Sequence, residues 1–182
     1  MKRFFFSLIL IFLVSTVSHA SVKDSLLVKK INDIASQVQK KYAPDKRTEY
    51  FQMQMQTEEP LTYTVEVSKP EALAELKAAL KNENISVELN GQVLPSQALD
   101  GKIYGIANLS VINTRYAPNH AAEMATQSLL GTPVRILKKE RGNYFIRTPD
   151  NYLSWTESAG VTPMNRAEFE AWQRSDRVVY VD

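Results

Sequence analysis

The first part of the chain alternates between the apolar spacing of a helix and that of strands. Apolar residues in the segment 27–38 recur every three or four positions, which predicts a helix with one apolar face, formed by Leu27, Ile31, Ile34 and Val38. This helix should end at Tyr42-Ala43-Pro44, because the residue before a proline avoids the helical region. Beyond it, apolar residues alternate with glutamines at Phe51, Met53 and Met55, as expected of a half-buried strand.

A hairpin, a second helix and a third strand follow. Glu58-Glu59-Pro60 predicts a turn, and the alternation of residues 61–67 predicts the partner strand. Ser68 and Glu71 have the spacing of a capping box, with Pro70 in the first turn of a helix that carries Leu73, Leu76 and Leu80. A third strand is predicted from the alternation of Ile85, Val87 and Leu89, ending at Asn90-Gly91. Two helices packed on one face of this small sheet would bury the apolar residues.

After residue 101 the pattern changes to short strands separated by frequent turn residues. Strands are predicted within 103–112, 134–137, 144–147 and 152–156, whereas the polar segment 114–126 with Pro118 is predicted to be irregular. This spacing is typical of a small β-barrel. Asn165 and Glu168 match a capping pattern for a short helix with Phe169 and Trp172, which would pack on the barrel or face another domain. The chain then ends in a predicted apolar strand, Val178 to Val181.

These patterns predict an α+β protein composed of two small domains. An α-β-β-α-β domain is expected over residues 21–95 and a linker over 96–101. An SH3-like barrel is expected over 102–163, followed by a helix and linker over 164–182 that would lead toward a further domain.

Residues 1–20 have the layout of a secretory signal peptide. Basic Lys2 and Arg3 precede an apolar run from Phe4 to Val14, and Ser18-His19-Ala20 places small residues at a cleavage site after Ala20. Its removal leaves 20 basic against 20 acidic residues, because it takes away two basic residues and no acid. We therefore expect an exported protein of the periplasm or cell envelope that binds neither nucleic acid nor, after cleavage, the membrane.

The missing residue types exclude several classes of chemistry. The chain has no cysteine, so it forms no disulfide, thiol nucleophile or zinc-thiolate site. After signal cleavage His120 is the only histidine, which removes most histidine-based metal sites, and no G-x-S-x-G motif is present. We expect no metal and no cofactor.

The second half of the chain resembles a known family. Residues 104–160 contain, in order, the pieces Asn113-Thr114-Arg115, Pro118, Thr126 to Gly131, Val134 to Leu137, Tyr144 and Asp150 to Trp155. This ordered set is similar to the bacterial SH3-like domain that precedes the catalytic domain of NlpC-type cell-wall cysteine peptidases of the Bacteroides type. The preceding α-β-β-α-β unit and the segment Met164 to Trp172 also resemble that family's layout. Departures from its pattern are Tyr144 in place of tryptophan and Ser154 in place of glycine.

The resemblance implies a role in recognising peptidoglycan stem peptides. Peptidases of this family cleave after γ-D-glutamate with a Cys-His pair in a downstream domain. This chain contains no cysteine, so that activity is not transferred to it, and we expect no enzyme. The resemblance further implies that the loop after the first barrel strand, here residues 115–123, reaches toward the peptide.

Six residues are candidates for ligand binding. Arg115 would meet a D-glutamate carboxylate or pair within its own loop, Tyr116 would contact ligand or pack, and Glu123 would receive a free amine. His120 is either a ligand contact or simply solvated. Tyr144 and Tyr152, on barrel strands, would line an aromatic groove or pack in the core, and Trp155 is predicted to be a core residue.

Three functions remain open at this point. The first is a non-catalytic module that binds stem peptides or positions a cell-wall hydrolase on them. The second is the front part of a larger γ-D-glutamyl-L-diamino acid cysteine endopeptidase, indicated by the terminal apolar strand and the Phe169/Trp172 pair. The third is an envelope protein-interaction unit built on the α-β-β-α-β domain.

Overall fold

The computed structural model describes residues 20–176, with side chains from residue 25 onward. The predicted signal peptide, except Ala20, and the predicted strand Val178 to Val181 lie outside this range. The described elements form an α+β protein, as predicted, with a three-stranded and a seven-stranded sheet. Among the described residues, no helix has the length and apolar character required to span a membrane.

The first unit has the predicted element order. It consists of α1 (Ala20–Tyr42), β1 (Phe51–Glu58), β2 (Leu61–Val67), α2 (Pro70–Asn82) and β3 (Glu88–Val93). The sheet order is β1-β2-β3, with β1 antiparallel and β3 parallel to the central strand β2. The apolar faces of both helices pack against β2, and the fully buried side chains at the centre are Ile31, Val65, Val67 and Leu76.

The strand β1 is less buried than its alternating pattern predicts. Phe51 and Met53 pack against the core of the first unit, but Met55 is 41% exposed. The segment 54–58 of β1 is exposed along its whole length, although the facing part of β2 packs in the apolar cluster, so alternation in this half of the strand does not correspond to an inner and an outer face.

The capping box predicted from Ser68 and Glu71 is wrong, although Pro70 does begin α2. Lys69 occupies the capping position, so Ser68 lies one residue too early to cap, and no side chain caps this helix. The Ser68 hydroxyl instead donates to Glu49 (2.6 Å) and accepts the amide N–H of Tyr50 (3.0 Å). It therefore fixes the chain that leads into β1.

The third strand also differs from its prediction. It begins only at Glu88 and continues through Asn90-Gly91 to Val93, pairing Val65 with Gly91. A Cβ atom at Gly91 would lie 2.7 Å from the Cδ atoms of Leu73. Glycine therefore acts here as a close-packing residue under α2 and not as the end of the strand.

The second unit is a barrel of antiparallel pairs followed by a helix. Its elements are β4 (Tyr104–Ala107), β5 (Val111–Arg115), β6 (Met124–Leu129), β7 (Pro133–Glu140), β8 (Asn143–Arg147), β9 (Leu153–Glu157), β10 (Val161–Met164) and α3 (Arg166–Arg174). The strand order is β10-β4-β7-β8-β9-β5-β6. The predicted capping box of α3 is confirmed, since Asn165 accepts the Glu168 amide and the Glu168 carboxylate accepts the Asn165 amide.

Two strands of the barrel were not predicted. The segment 114–126, expected to be irregular, contains the end of β5 and the start of β6, and β10 follows a short 3-10 turn at Ser158–Gly160. β6 lacks the apolar alternation of a strand because its residues are mostly polar or small. β10 gives no clear strand pattern because it is only four residues long and contains Pro163.

The predicted linker is an ordered part of the barrel. It contains a 3-10 turn at Gln97–Leu99, and the Ser96 amide donates to the Leu137 carbonyl at 2.7 Å. Leu94, two residues before it, and Leu99, within it, are buried in the apolar clusters of the barrel. The two units are therefore joined through packed side chains.

Candidate functional site

The predicted binding loop lies between β5 and β6. It spans residues 116–123 and is closed at its base by the Tyr116 amide, which donates to the Glu123 carbonyl at 3.1 Å. The Arg115 guanidinium donates to the Ala122 carbonyl (2.7 Å), so Arg115 pairs within its own loop, one of the two roles considered for it. The side-chain amide of Asn143 donates to the Pro118 carbonyl (3.3 Å) and connects the loop to the start of β8.

Arg115 and Tyr116 line two different cavities. A small cavity of 140 Å³, the loop cavity, is bordered by Arg115, His120 and the 3-10 turn after β9. The His120 imidazole lies 3.3 Å from the Glu157 carboxylate at its rim, where both side chains are largely exposed. The wall shared with the second cavity is formed by Trp155.

The second cavity, the junction cavity, is larger and is built by both units. Its volume is 300 Å³, and Tyr116 (52% exposed) reaches into it from the barrel loop. It is lined by aromatic, polar and charged side chains, namely Gln39, Lys46, Glu49, Tyr50, Phe51, Gln52, Tyr116, Phe145, Leu153 and Trp155. A mostly apolar cleft with a few charged groups is the usual form of a ligand site in proteins.

The charges of the junction cavity are distributed unequally. Glu49 is occupied by neighbours, since its carboxylate accepts the Ser68 hydroxyl and lies 3.3 Å from Lys69 and 3.8 Å from Arg147. Lys46 forms no ion pair with any residue from 25 to 176. The cavity therefore offers an ammonium group to an anionic ligand.

A buried ion pair lies beneath the junction cavity and joins the two units. Lys138 of β7 is 2.5 Å from the Glu66 carboxylate of β2, and its side chain is 11% exposed. Its ammonium group also donates to the Tyr50 hydroxyl at 3.3 Å and lies within 6 Å of the ring centres of Tyr50, Phe145 and Trp155. Burial is the largest single influence and lowers the pKa of Lys138, but the hydrogen bond and charge of Glu66 together with the interactions with Tyr50 outweigh it and raise the lysine pKa above its usual value. Burial raises the pKa of the Tyr50 hydroxyl.

A further contact across the junction involves the segment before β1. Asp45 accepts hydrogen bonds from the Arg47 side chain and amide, and these lower the pKa of the Asp45 carboxyl to about 2. The Arg47 carbonyl accepts the Leu153 amide of β9 at 2.6 Å. The guanidinium lies 5.8 Å from the centre of the Tyr152 ring, which places Tyr152 beside this link and not in either cavity.

The structure separates the six predicted ligand residues. Arg115 and His120 border the loop cavity, Tyr116 lines the junction cavity, and Glu123 is exposed beside the loop base. Tyr144 is 7% exposed and lies in the barrel core. Of the two roles considered for it, it therefore packs in the core and does not line a groove. The prediction that Trp155 is a core residue is confirmed by its 8% exposure.

The junction residues of the first unit were missed by the sequence analysis. Lys46, Glu49 and Tyr50 belong to an irregular connection between α1 and β1. No helical or strand periodicity there predicts which side chains face inward. The only available signal was the adjacent aromatic pair Tyr50-Phe51 beside charged residues. Within the described range, residues 20–176, no group of three or more His, Asp or Glu side chains could hold a metal ion.

Comparison with protein families identifies the barrel. The family model of the bacterial dipeptidyl-peptidase SH3 domain matches residues 114–161, which contain the end of β5, the strands β6 to β9 and the predicted binding loop. No match to this chain was found among curated proteins. The barrel is thus an SH3-like module of the type that occurs in peptidase-associated proteins.

Proposed function

We propose that this protein is an exported, non-catalytic recognition module for peptidoglycan stem peptides, acting alone or beside a cell-wall hydrolase. The observation that carries the proposal is the junction cavity, because it combines aromatic walls with an unpaired ammonium next to the loop of a peptidase-type SH3 module. The resemblance to NlpC-type peptidases supports a stem peptide as ligand. The absence of cysteine argues against their thiol chemistry in this chain.

The chemistry of a stem peptide matches the groups in the cavity. Its γ-linked D-glutamate carries a free carboxylate, which the Lys46 ammonium would neutralise. The Tyr116 and Tyr50 rings offer flat apolar walls and hydroxyl groups to a short extended peptide. The ion pair of Lys138 with Glu66 and the bonds of Glu49 hold both walls in position, so little reorganisation would accompany binding.

Truncation of Tyr116 tests this assignment. We expect Tyr116→Ala to weaken binding of the tripeptide L-Ala-γ-D-Glu-L-Lys about tenfold, because an aromatic wall of the cavity is lost. Tyr116 is 52% exposed, so the thermal stability of the protein should change little. Titration calorimetry on the purified protein measures the affinity.

Leu130→Ala is the matched control for this experiment. Leu130 is 64% exposed and lies outside both cavities, so the variant should bind the tripeptide like the wild type. The proposal is wrong if the wild-type protein does not bind the tripeptide, or if both variants bind it equally well.

A further inference from the structure

A row of directly paired residues crosses four strands of the barrel sheet. Tyr104 of β4, Arg135 of β7, Arg147 of β8 and Leu153 of β9 are direct partners in successive strand pairs. Side chains of directly paired residues project on the same face, so Arg135 and Arg147 lie side by side. Two like charges directly opposite each other destabilise a sheet unless other groups compensate them.

The positive charges of Arg135 and Arg147 are neutralised to different extents by neighbouring groups. Arg147 donates to the Thr48 carbonyl at 3.3 Å and lies 3.8 Å from the Glu49 carboxylate, which neutralises part of its charge. Its Nε atom is buried without a hydrogen-bond partner in the described part of the chain. Arg135 lies 4.3 Å from the centre of the Tyr104 ring and has no carboxylate partner between residues 25 and 176.

Both arginines border a cavity of 310 Å³, the arginine cavity. Its other walls come from the strand ends, the turn after β8 and the helix α3, and they consist of Tyr104, Pro133, Val134, Thr148, Pro149, Asn151 and Phe169. The Phe169 ring stacks on Tyr104 at 4.8 Å, so α3 packs on the barrel here and closes one side of the cavity. The cavity thus combines apolar walls with the Arg135 guanidinium, which has no carboxylate partner among the described residues, and it is open to a ligand.

We propose that the arginine cavity binds a carboxylate carried by a small apolar group, such as the C-terminal end of a short peptide. A guanidinium presents a planar pair of N–H donors that matches a carboxylate, and Arg135 has no protein carboxylate to occupy it. The anion would also relieve the repulsion between Arg135 and Arg147. Pro133, Val134 and Phe169 would contact the apolar group.

This site is separate from the proposed stem-peptide site, although Arg147 of the arginine cavity lies 3.8 Å from Glu49 of the junction cavity. The arginine cavity and the junction cavity have no lining residue in common. Tyr116 lines the junction cavity and not the arginine cavity, and Arg135 the reverse, so variants at these two residues allow the two proposals to fail separately.

Titration of ¹⁵N-labelled protein with N-acetyl-alanine tests the site by NMR. We expect saturable shifts of the backbone amides in the segments 134–135, 147–148 and 150–151, and Arg135→Gln should weaken binding about tenfold. Arg135→Lys, which keeps the charge but loses the planar fork, should bind with intermediate affinity. Lys77→Gln removes one positive charge from the exposed face of α2 and should bind like the wild type.

Two further ligands, titrated into the wild-type protein, test whether binding requires both the carboxylate and the apolar group. The neutral amide N-acetyl-alaninamide should cause no saturable shifts, and inorganic phosphate should bind more weakly than N-acetyl-alanine because it lacks the apolar group. Equal binding of the amide, stronger binding of phosphate, unchanged affinity of Arg135→Gln, or no saturable shift in the wild type would each overturn the proposal.

Discussion

Replacement of Ile136 by alanine is expected to lower the free energy of unfolding by about 3–4 kcal/mol. Ile136 has no exposed surface and lies in the barrel core with Ile112, Ile146 and Val161. Its Cδ1 atom packs so closely on β4 that a Cβ at Gly105 would lie 3.0 Å from it. The rigid strands around the side chain leave little room for collapse, so the variant should retain most of the cavity.

Urea denaturation followed by tryptophan fluorescence measures this loss, since Trp155 lies in the barrel. Val111→Ala is the control, because Val111 is on β5 of the same barrel but 41% exposed, and its variant should lose well under about 1 kcal/mol. A similar loss in both variants would contradict the described core.

Replacement of Lys138 by alanine is expected to cost about 2–3 kcal/mol of stability. The change leaves the Glu66 carboxylate, whose side chain is 19% exposed, without its ammonium partner. It also removes the donor to the Tyr50 hydroxyl and the cation between three aromatic rings. The estimate lies below that for a fully buried pair because some exposure remains on both side chains.

The neighbouring Lys139→Ala is the matched control, because Lys139 is exposed on the same strand and should lose little stability. The double variant Lys138→Met with Glu66→Leu removes both charges and should recover most of the loss. If Lys138→Ala and Lys139→Ala are equally stable, the buried pair contributes nothing measurable.

The pH dependence provides a second signature of this pair. The pKa of Lys138 is raised above 10.5, so its contribution is fully present below that value and is lost as pH rises through the raised pKa. The stability difference between wild type and Lys138→Ala should therefore stay constant between about pH 6 and 9 and shrink only in strongly alkaline solution. A difference that already decreases near pH 8 would contradict the raised pKa.

These two variants also test whether the units unfold together. Lys138, Phe145 and Trp155 of the barrel meet Tyr50 and Glu66 of the first unit in one cluster. If this junction couples the units, Ile136→Ala should shift the unfolding of both in a single transition, whereas Lys138→Ala should begin to separate them.

The amino-acid sequence determined most of the local structure of this protein. Helical spacing predicted α1 and α2, alternation predicted the first hairpin, and the pair Asn165 and Glu168 predicted the cap of α3. These features depend on neighbours a few residues apart, so periodicity and capping chemistry report them directly. The barrel type was also predictable, because its turn residues and aromatic positions occur in a recognisable order.

Tertiary packing decided the features that depend on contacts distant in sequence. Gly91 continues β3 by pairing with Val65 and lies under Leu73. Ser68 does not cap α2 because Lys69 holds the capping position, and its hydroxyl bonds Glu49 and Tyr50 instead. The strand β6 forms because β5 supplies hydrogen-bond partners, which its polar sequence does not indicate.

The candidate site shows the same division. The sequence placed Tyr116 on the predicted binding loop, but its cavity exists only because residues 46–52 of the first unit also line it. Lys138 appears in the sequence as one of two adjacent lysines, and only packing makes it buried and paired with Glu66, 72 residues away. The cross-strand neighbours Arg135 and Arg147 likewise meet through strand register, which is set by the whole sheet and not by local pattern.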